Sequence, residues 1–535
     1  MSSVLAEDII RTFDQMVSER ANHEQAWEEI GRVLRPLRQN IRKTETTKGN
    51  KRHQYIYHSG PLHALDNFKA GLHGRLTSPA LDWFDVRVAG DEDLNARGPV
   101  KEWLEQVTRM LRLTFTPAMS QFYNQTPTMY ADLGGFGTGI MYTGLKPGEG
   151  KFFDKTISLE EAYLATNQYD EVDCVARKYR VTARAAIAKF GDEVSDQIKR
   201  ANEKTPLQEF TFIHMTRPNP EYKEGSIGPN GFEFQSVYLE RDKKNIVLQE
   251  GFRELPYHCP RWEVAAGEVY GRGQGERALA DILTTHAIRK DNLTMSNRAS
   301  NPSLLATDEL AVQRGVKNYP GAVTYGAISA DGRKLVQALD EGKNLNLAVE
   351  YENLINDAVK DAFFFSLMQI QGSYDMTATE FLGRQEEAMQ NLSPHVGRIE
   401  SEFLTPLISR RYRVLEDYGQ MPPPPEEIDG MPLEIQYVSP LQRIQKNQRA
   451  TSAMRTYEAM AMASQTNPEV MDRFDADAYA EAIEEGMGAG LLVSKEEAEE
   501  RRAQRQQQQQ MQMMMEQAPG LAGAAKDMSE VANNA

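Results

Sequence analysis

Gly148-Glu149-Gly150-Lys151 ends in the Gly-Lys pair of a phosphate-cradling loop. Such a loop also needs a glycine five positions before its second glycine, and a Ser or Thr after the lysine to ligand Mg²⁺. This chain has Leu145 and Phe152 there, so no nucleotide site is expected. Gly271, Gly273 and Gly275 precede a helical pattern and weakly resemble a dinucleotide fingerprint. The third-glycine spacing and a βαβ frame are missing, and a tight turn into a helix is the expectation. His258-Cys259 stands alone, with no CxxC or HxxxH cluster to complete a metal site, and Cys259 reads as a small packed residue. No G-x-S-x-G occurs, and the carboxylates fall at i, i+4 intervals on solvated helix faces. The expected catalytic residues, metal ligands and cofactors are therefore none, and the chain reads as a non-enzyme. A large cytosolic enzyme stays open as a rival, because a site assembled from distant residues leaves no local pattern.

The elements that would position any site are dominated by one stretch, Thr377 to Tyr418. Thr377 and Glu380 form a capping box, in which hydroxyl and carboxylate each satisfy an orphan backbone N–H. Phe381, Met389, Leu392, Val396, Ile399, Phe403 and Leu407 then recur at three- and four-residue steps. Gly419 and the Pro422–Pro425 run end the helix, which at 1.5 Å per residue spans roughly 60 Å. Pro394 and Pro406 lie inside it, so bends are expected there. A helix of that length suits a strut in a large assembly better than part of a compact catalytic domain.

The totals narrow the class. At 535 residues there is length for several subdomains. Hydrophobic residues make up 40%, yet no apolar run reaches the ~18 residues that would span a bilayer. No basic segment followed by an apolar core opens the chain, so no signal peptide is expected. Two cysteines, Cys174 and Cys259, fit a reducing compartment. With 77 acidic against 61 basic residues the formal charge is −16, which argues against a tight, counterion-releasing grip on phosphate. It is compatible with a duplex passing through a hole whose wall repels it, and equally with an acidic surface that keeps the protein soluble.

In chain order, Leu5 to Leu37 reads as an amphipathic helical pair, and Arg38 to His53 as an exposed loop. A helix carrying Leu65, Phe68 and Leu72 precedes a turn at Ser78-Pro79, and Trp83-Phe84 opens an extended segment. Helices at 97–116 and 119–135 lead into a strand over 137–145. Between 150 and 265, strands at 171–181, 209–217, 232–240 and 245–254, with short helices at 182–190 and 193–203, describe an α+β domain with a twisted antiparallel sheet. From Gly275 the pattern is helix, a turn-rich module at 301–343, a second helix around Leu347–Met368, the polar loop 369–376, and the long helix. A strand at 432–440 follows, then helices at 441–465, 468–487 and 494–517, and a disordered end beyond 518.

This order resembles the head-to-tail connector, or portal protein, of short-tailed (podovirus-type) bacteriophages. The residues that carry it are Trp27–Pro36, LTSPALDWFDV (76–86), SQFYNQTPTMYADLGGFGTGIMY (120–142), VYGRGQGERALADI (269–282), TATEFLGRQEE (377–387) and FDADAYAEAIEEGMGAGLLVSKEEAEERR near the C-terminus. The resemblance implies an α+β, mainly helical chain of portal-type architecture. Its wing would be 1–267, its stem helices 268–299 and 344–368, its small α/β clip 300–343 and its tunnel loop 369–376. The long helix and return strand of the wing would be 377–440, and the crown or barrel helices 441–517, with a disordered tail at 518–535.

It further implies a homo-oligomeric ring, a dodecamer in the family, set at one capsid vertex of the virion and assembled in the host cytoplasm. Implied partners are the large terminase subunit (the packaging ATPase), a tail adaptor, the major capsid and scaffolding proteins, and double-stranded DNA passing non-specifically through the channel. No membrane is implied. The channel candidates carried over are Gln369, Gln371, Gly372, Ser373 and Tyr374. That loop has no Lys or Arg, so it can hydrogen-bond weakly or stack through Tyr374 but cannot hold phosphate by charge. A passive, low-friction gate is the expectation. Clip docking candidates are Arg314, Lys317, Arg333 and Lys334, or else these are loop charges that only aid solubility. The alternative function is a helical virion scaffold or adaptor without a DNA channel.

Overall fold

The structure is a computed structural model of the full chain. It describes residues 2–42, 52–307, 313, 315–339, 345–365, 392–464, 474–487 and 501–508, except single positions 55, 96, 147, 318, 320, 439 and 506. The chain folds as two units: residues 1–81 with 113–417, and residues 82–112 with 418–535.

In the larger unit, α1 (Ser2–Val33) is one helix of 32 residues, not the expected pair, and only a short 3-10 turn at Pro36–Arg38 follows it. The reason is in the sequence: no proline occurs before Pro36 and no glycine before Gly31, so nothing breaks the helix. Next come α2 (Gly60–Leu76), α3 (Phe122–Phe136), β1 (Met141–Leu145), β2 (Phe152–Thr156), β3 (Ala162–Thr166) and β4 (Val172–Thr182). The short helices α4 (Ala183–Phe190) and α5 (Asp196–Lys204) lead to β5 (Glu209–Pro218), β6 (Phe234–Glu240), β7 (Asn245–Phe252) and β8 (Tyr257–His258).

Strands β3 to β7 form an antiparallel meander in sequence order, as expected for the α+β region. Period-two alternation gives the sheet two apolar faces. Ile213, Met215, Val237 and Leu239 pack under Ala6, Ile9, Phe13 and Met16 of α1. The opposite face sets Phe210, Phe212 and Tyr238 against Ala186, Phe190 and Ile198 of α4 and α5. A second sheet has the order β2-β1-β8, and Gly148–Lys151 lies in the turn of its β1–β2 hairpin. Three strands, β2, β3 and β8, were not legible in the sequence.

The rest of this unit is α6 (Leu279–Ser300), the strand pair β9 (Leu304–Ala306) and β10 (Val336–Ala338), α7 (Leu345–Ala362), and helix over residues 392–399. That last helix runs through a π turn at Glu400–Leu404 into α8 (Thr405–Asp417). The disturbance expected at Pro406 takes this form. Proline has no N–H to give and its ring crowds the carbonyl four residues back, and here the Thr405 N–H donates to Glu400, five residues back. The capping box Thr377–Glu380 and the first half of the expected long helix lie outside the described residues, as does 518–535.

The smaller unit contains Phe84–Val88 paired antiparallel with Leu433–Tyr437, the helix Gly98–Thr114 as far as Arg112 (its last two residues belong to the larger unit), and the helices Pro440–Ser464 and Ala476–Met487. Trp103 Nε1 donates to the Pro422 carbonyl at 3.0 Å, which pins the proline run. Among the described residues no helix is long and apolar enough to cross a membrane.

Candidate docking and channel elements

The sequence segments GGFG (134–137) and GRGQG (271–275) meet backbone to backbone. A Cβ on Gly273 would lie 2.5 Å from Gly137 N and 2.8 Å from Gly134 O, and one on Gly275 would lie 2.3 Å from Gly135 O. Only glycine permits this approach. The expected tight turn is absent: Arg272 bridges antiparallel to Glu263, and Gly273 is extended and leads into the short helix Gln274–Arg277, so the run is a close backbone crossing against α3 that precedes α6.

From that crossing α6 runs out and α7 returns beside it. Glu352 of α7, almost fully buried, accepts from Asn292 Nδ2 at 2.8 Å and pairs with Arg289 Nη1 at 3.2 Å, both on α6. His58 Nε2 lies 3.7 Å from the same carboxylate. His286 of α6 accepts at Nδ1 from the backbone N–H groups of Tyr57 (3.1 Å) and His58 (3.2 Å). Burial lowers the pKa of both histidines below 6.5; the neighbouring Glu352 carboxylate opposes this at His58. Two hydrogen bonds to the buried Glu352 carboxylate therefore hold the helix pair together, and His286 ties α6 to the segment before α2.

Beyond the helices, the β9–β10 module exposes apolar and polar side chains side by side. Tyr325 is 83% exposed and Ile328 66%, and Tyr319 and Val323 are also exposed. On the helices, Leu283, Leu293, Tyr351 and Leu354 are exposed as well. Of the basic candidates, Lys317, Arg333 and Lys334 are exposed. Arg333 and Lys334 are neighbours on the arm entering β10, where Lys334 bridges to Ile328. Lys317 lies on the other arm, its backbone N–H donating to Thr324 Oγ1 at 3.2 Å. Arg314, and the channel candidates Gln369, Gln371, Gly372, Ser373 and Tyr374, lie outside the described residues. Tyr325 and Ile328 do not stand out in the sequence, where only the basic residues of this stretch carry a mark of exposure.

His258 and Cys259 are both buried, and burial drives the imidazole pKa down and the thiol pKa up. Both groups are thereby kept neutral. Among the described residues no three His, Cys, Asp or Glu side chains come together to hold a metal ion.

A family model of the bacteriophage head to tail connecting protein matches residues 6–491. The chain belongs to this family. The connector is similar to the portal protein of Salmonella phage epsilon15, 28% identical over 542 residues, covering 99% of this chain and 96% of that protein. It is also similar to the probable portal protein of Bordetella phage BPP-1, 27% identical over 487 residues, covering 90% of this chain and 87% of that one. Both halves of the glycine contact fall within the matched residues. A connector is a structural protein, not an enzyme, and its working surfaces are the ones by which it meets other chains.

Proposed function

We propose that this connector is the portal of a phage capsid: a ring of identical subunits, twelve by family resemblance, at one vertex of the virion. DNA would enter through its channel during packaging and leave through it at ejection. The observation that supports the ring is the set of large apolar side chains that a single chain leaves exposed on α6, α7 and the β9–β10 module, among them Leu283, Leu354 (67% exposed), Tyr325 and Ile328. Where such side chains adjoin they offer a surface to a neighbour, and in a closed ring the neighbour is the same chain rotated.

The stem in this reading is 268–299 with 344–368, and the clip 300–343. The clip offers Tyr325 and Ile328 together with Lys317, Arg333 and Lys334 to the large terminase subunit during packaging and to the tail adaptor afterwards. The wing is the α+β region that precedes residue 268, and meets capsid and scaffolding proteins. The segment 369–376 lines the channel as a passive gate. Ring assembly would take place in the host cytoplasm, before DNA enters.

Negative-stain electron microscopy with sedimentation velocity tests this. Closed rings with a central hole are expected. Assemblies without a hole would favour a helical scaffold or adaptor without a channel.

A further inference from the structure

Arg261 and Trp262, consecutive residues after β8, hold the helical run 392–417 at two points. Arg261 donates from its backbone N–H and from Nη2 to the Glu402 carboxylate, each at 2.8 Å. The Trp262 indole stacks on His395 with ring centroids 4.2 Å apart and planes 14° from parallel, and the Trp262 carbonyl accepts from His395 Nδ1 at 3.1 Å. Positions 395 and 402 are about two helical turns apart, so both grips fall on one face of the helix.

The same indole also holds the end of α7. Gln274, with its amide oxygen toward the indole, accepts from Trp262 Nε1 at 3.0 Å and donates to the Ala362 carbonyl at 3.0 Å. Phe364 lies 6.2 Å from Trp262 and 6.4 Å from His395 by ring centroids. Phe68 packs edge-on against both Trp262 and the buried Phe363. Phe364 has φ +53°, a left-handed conformation that costs a bulky side chain energy and persists only where its surroundings enforce it. The fully buried Trp262 is therefore the one side chain, among the described contacts, that touches the 392–417 helix directly and α7 through a hydrogen-bonded relay.

We propose that Trp262 is a positioning residue that couples the second stem helix to the long helix, so that displacement of α7 is transmitted to residues 392–402. Packed cores and hydrogen-bonded relays have discrete arrangements and do not deform smoothly, which suits such a joint to relaying a shift. A chain docked at the stem end that moves α7 would thereby be sensed on the long helix. This use rests on the portal reading; the joint itself lies wholly within the larger unit.

Hydrogen exchange on the full-length chain, read with sedimentation velocity on the same samples, tests the coupling. Gln274→Met keeps the volume and removes both relay hydrogen bonds. The two hydrogen bonds it removes run to α7 and to Trp262, so exchange is expected to rise together in 355–362 and 392–399, with 209–218 unchanged. A rise confined to 355–362 would overturn the proposal. Trp262→Ala is expected to raise exchange in both segments by about tenfold or more, and Trp262→Phe to restore 392–399 through its stacking on His395. Continued protection of either segment in Trp262→Ala would overturn it. If Trp262→Ala also loses protection in 209–218, it has unfolded and Gln274→Met decides alone. Joint loosening in a chain that sediments as a monomer would keep the coupling and remove only the ring.

Discussion

Arg411 and Asp154 meet at 2.7 Å with neither side chain exposed to solvent at all. Asp154 comes from β2 and also accepts from Thr143 Oγ1 at 2.9 Å; Arg411 comes from α8 and also donates to the Thr114 carbonyl at 2.7 Å. The guanidinium lies 3.7 Å from the Phe115 ring centroid and 4.8 Å from that of Phe152. Burial lowers the Arg411 pKa while Asp154 pulls it back up, and the charge is kept by its partner. The pair ties α8 to the small β2-β1-β8 sheet. Arg411→Met would leave a buried carboxylate uncompensated and should destabilise the larger unit by about 3–5 kcal/mol. The double change Arg411→Met with Asp154→Leu should recover much of that loss. Denaturant titration of the three variants checks this; a single variant as stable as the parent would mean the pair is not needed to hold α8.

That pair also shows what the sequence conceals. β2 reads FFDKT, with Asp154 facing inward between the buried Phe152 and Thr156. A charged residue at an inward position conceals a strand until its partner is known, and the partner here is 257 residues away. The long meander strands β4 to β7 were legible because period two and turn residues are local signals. Helix α1 is single where a pair is expected, in keeping with the lack of any proline before Pro36. The exposed charges of Lys317, Arg333 and Lys334 were legible from residue type alone. The exposed Tyr325 and Ile328 were not, since an apolar residue carries no local mark of being outside.

Two glycine substitutions should act in opposite directions. Gly273→Ala drives a Cβ to within 2.5 Å of the Gly137 backbone nitrogen, which cannot yield as a side-chain tip would. A loss of about 1–3 kcal/mol or more is expected. Gly74→Ala, in α2 with nothing within 4 Å of the new Cβ, should stabilise by about 0.5–1 kcal/mol. Thermal melts of both measure the contrast, and equal shifts would contradict the close backbone contact.

The histidine pair between α6 and residues 57–58 gives a pH dependence of defined sign. His286 Nδ1 accepts two backbone N–H groups, which only the neutral ring can do. Burial, then the neighbouring His58, lower its pKa; burial lowers that of His58, against Glu352 and with Arg289, Lys360 and His63. The unfolded chain therefore binds protons first. The stabilisation is complete above about pH 6.5 and is lost as pH falls from there through the folded values. His286→Asn, which keeps an acceptor oxygen but does not titrate, should flatten the fall in melting temperature between roughly pH 6.5 and 5. An unchanged slope would show that His286 does not contribute to it.

In the proposed clip, replacing Lys317, Arg333 and Lys334 together by Glu should weaken binding of the proposed partners, the packaging motor and the tail adaptor, at least about tenfold, with assembly retained. Unaltered binding would reduce these charges to solubilising ones and leave Tyr325 and Ile328 as the docking groups.

For the channel, Tyr374→Ala and Gln371→Ala should leave packaging near its parental rate, since this polar segment has no charge with which to hold phosphate. Packaging abolished in intact rings would assign the segment an active grip.

The most direct measurement is the mass and shape of the purified chain in solution, by sedimentation velocity and negative-stain electron microscopy together. Closed rings with a central hole, stable on dilution, are the predicted result and would account for the exposed Leu283, Leu354, Tyr325 and Ile328. A compact monomer or dimer across the concentration range would contradict the portal assignment at its centre.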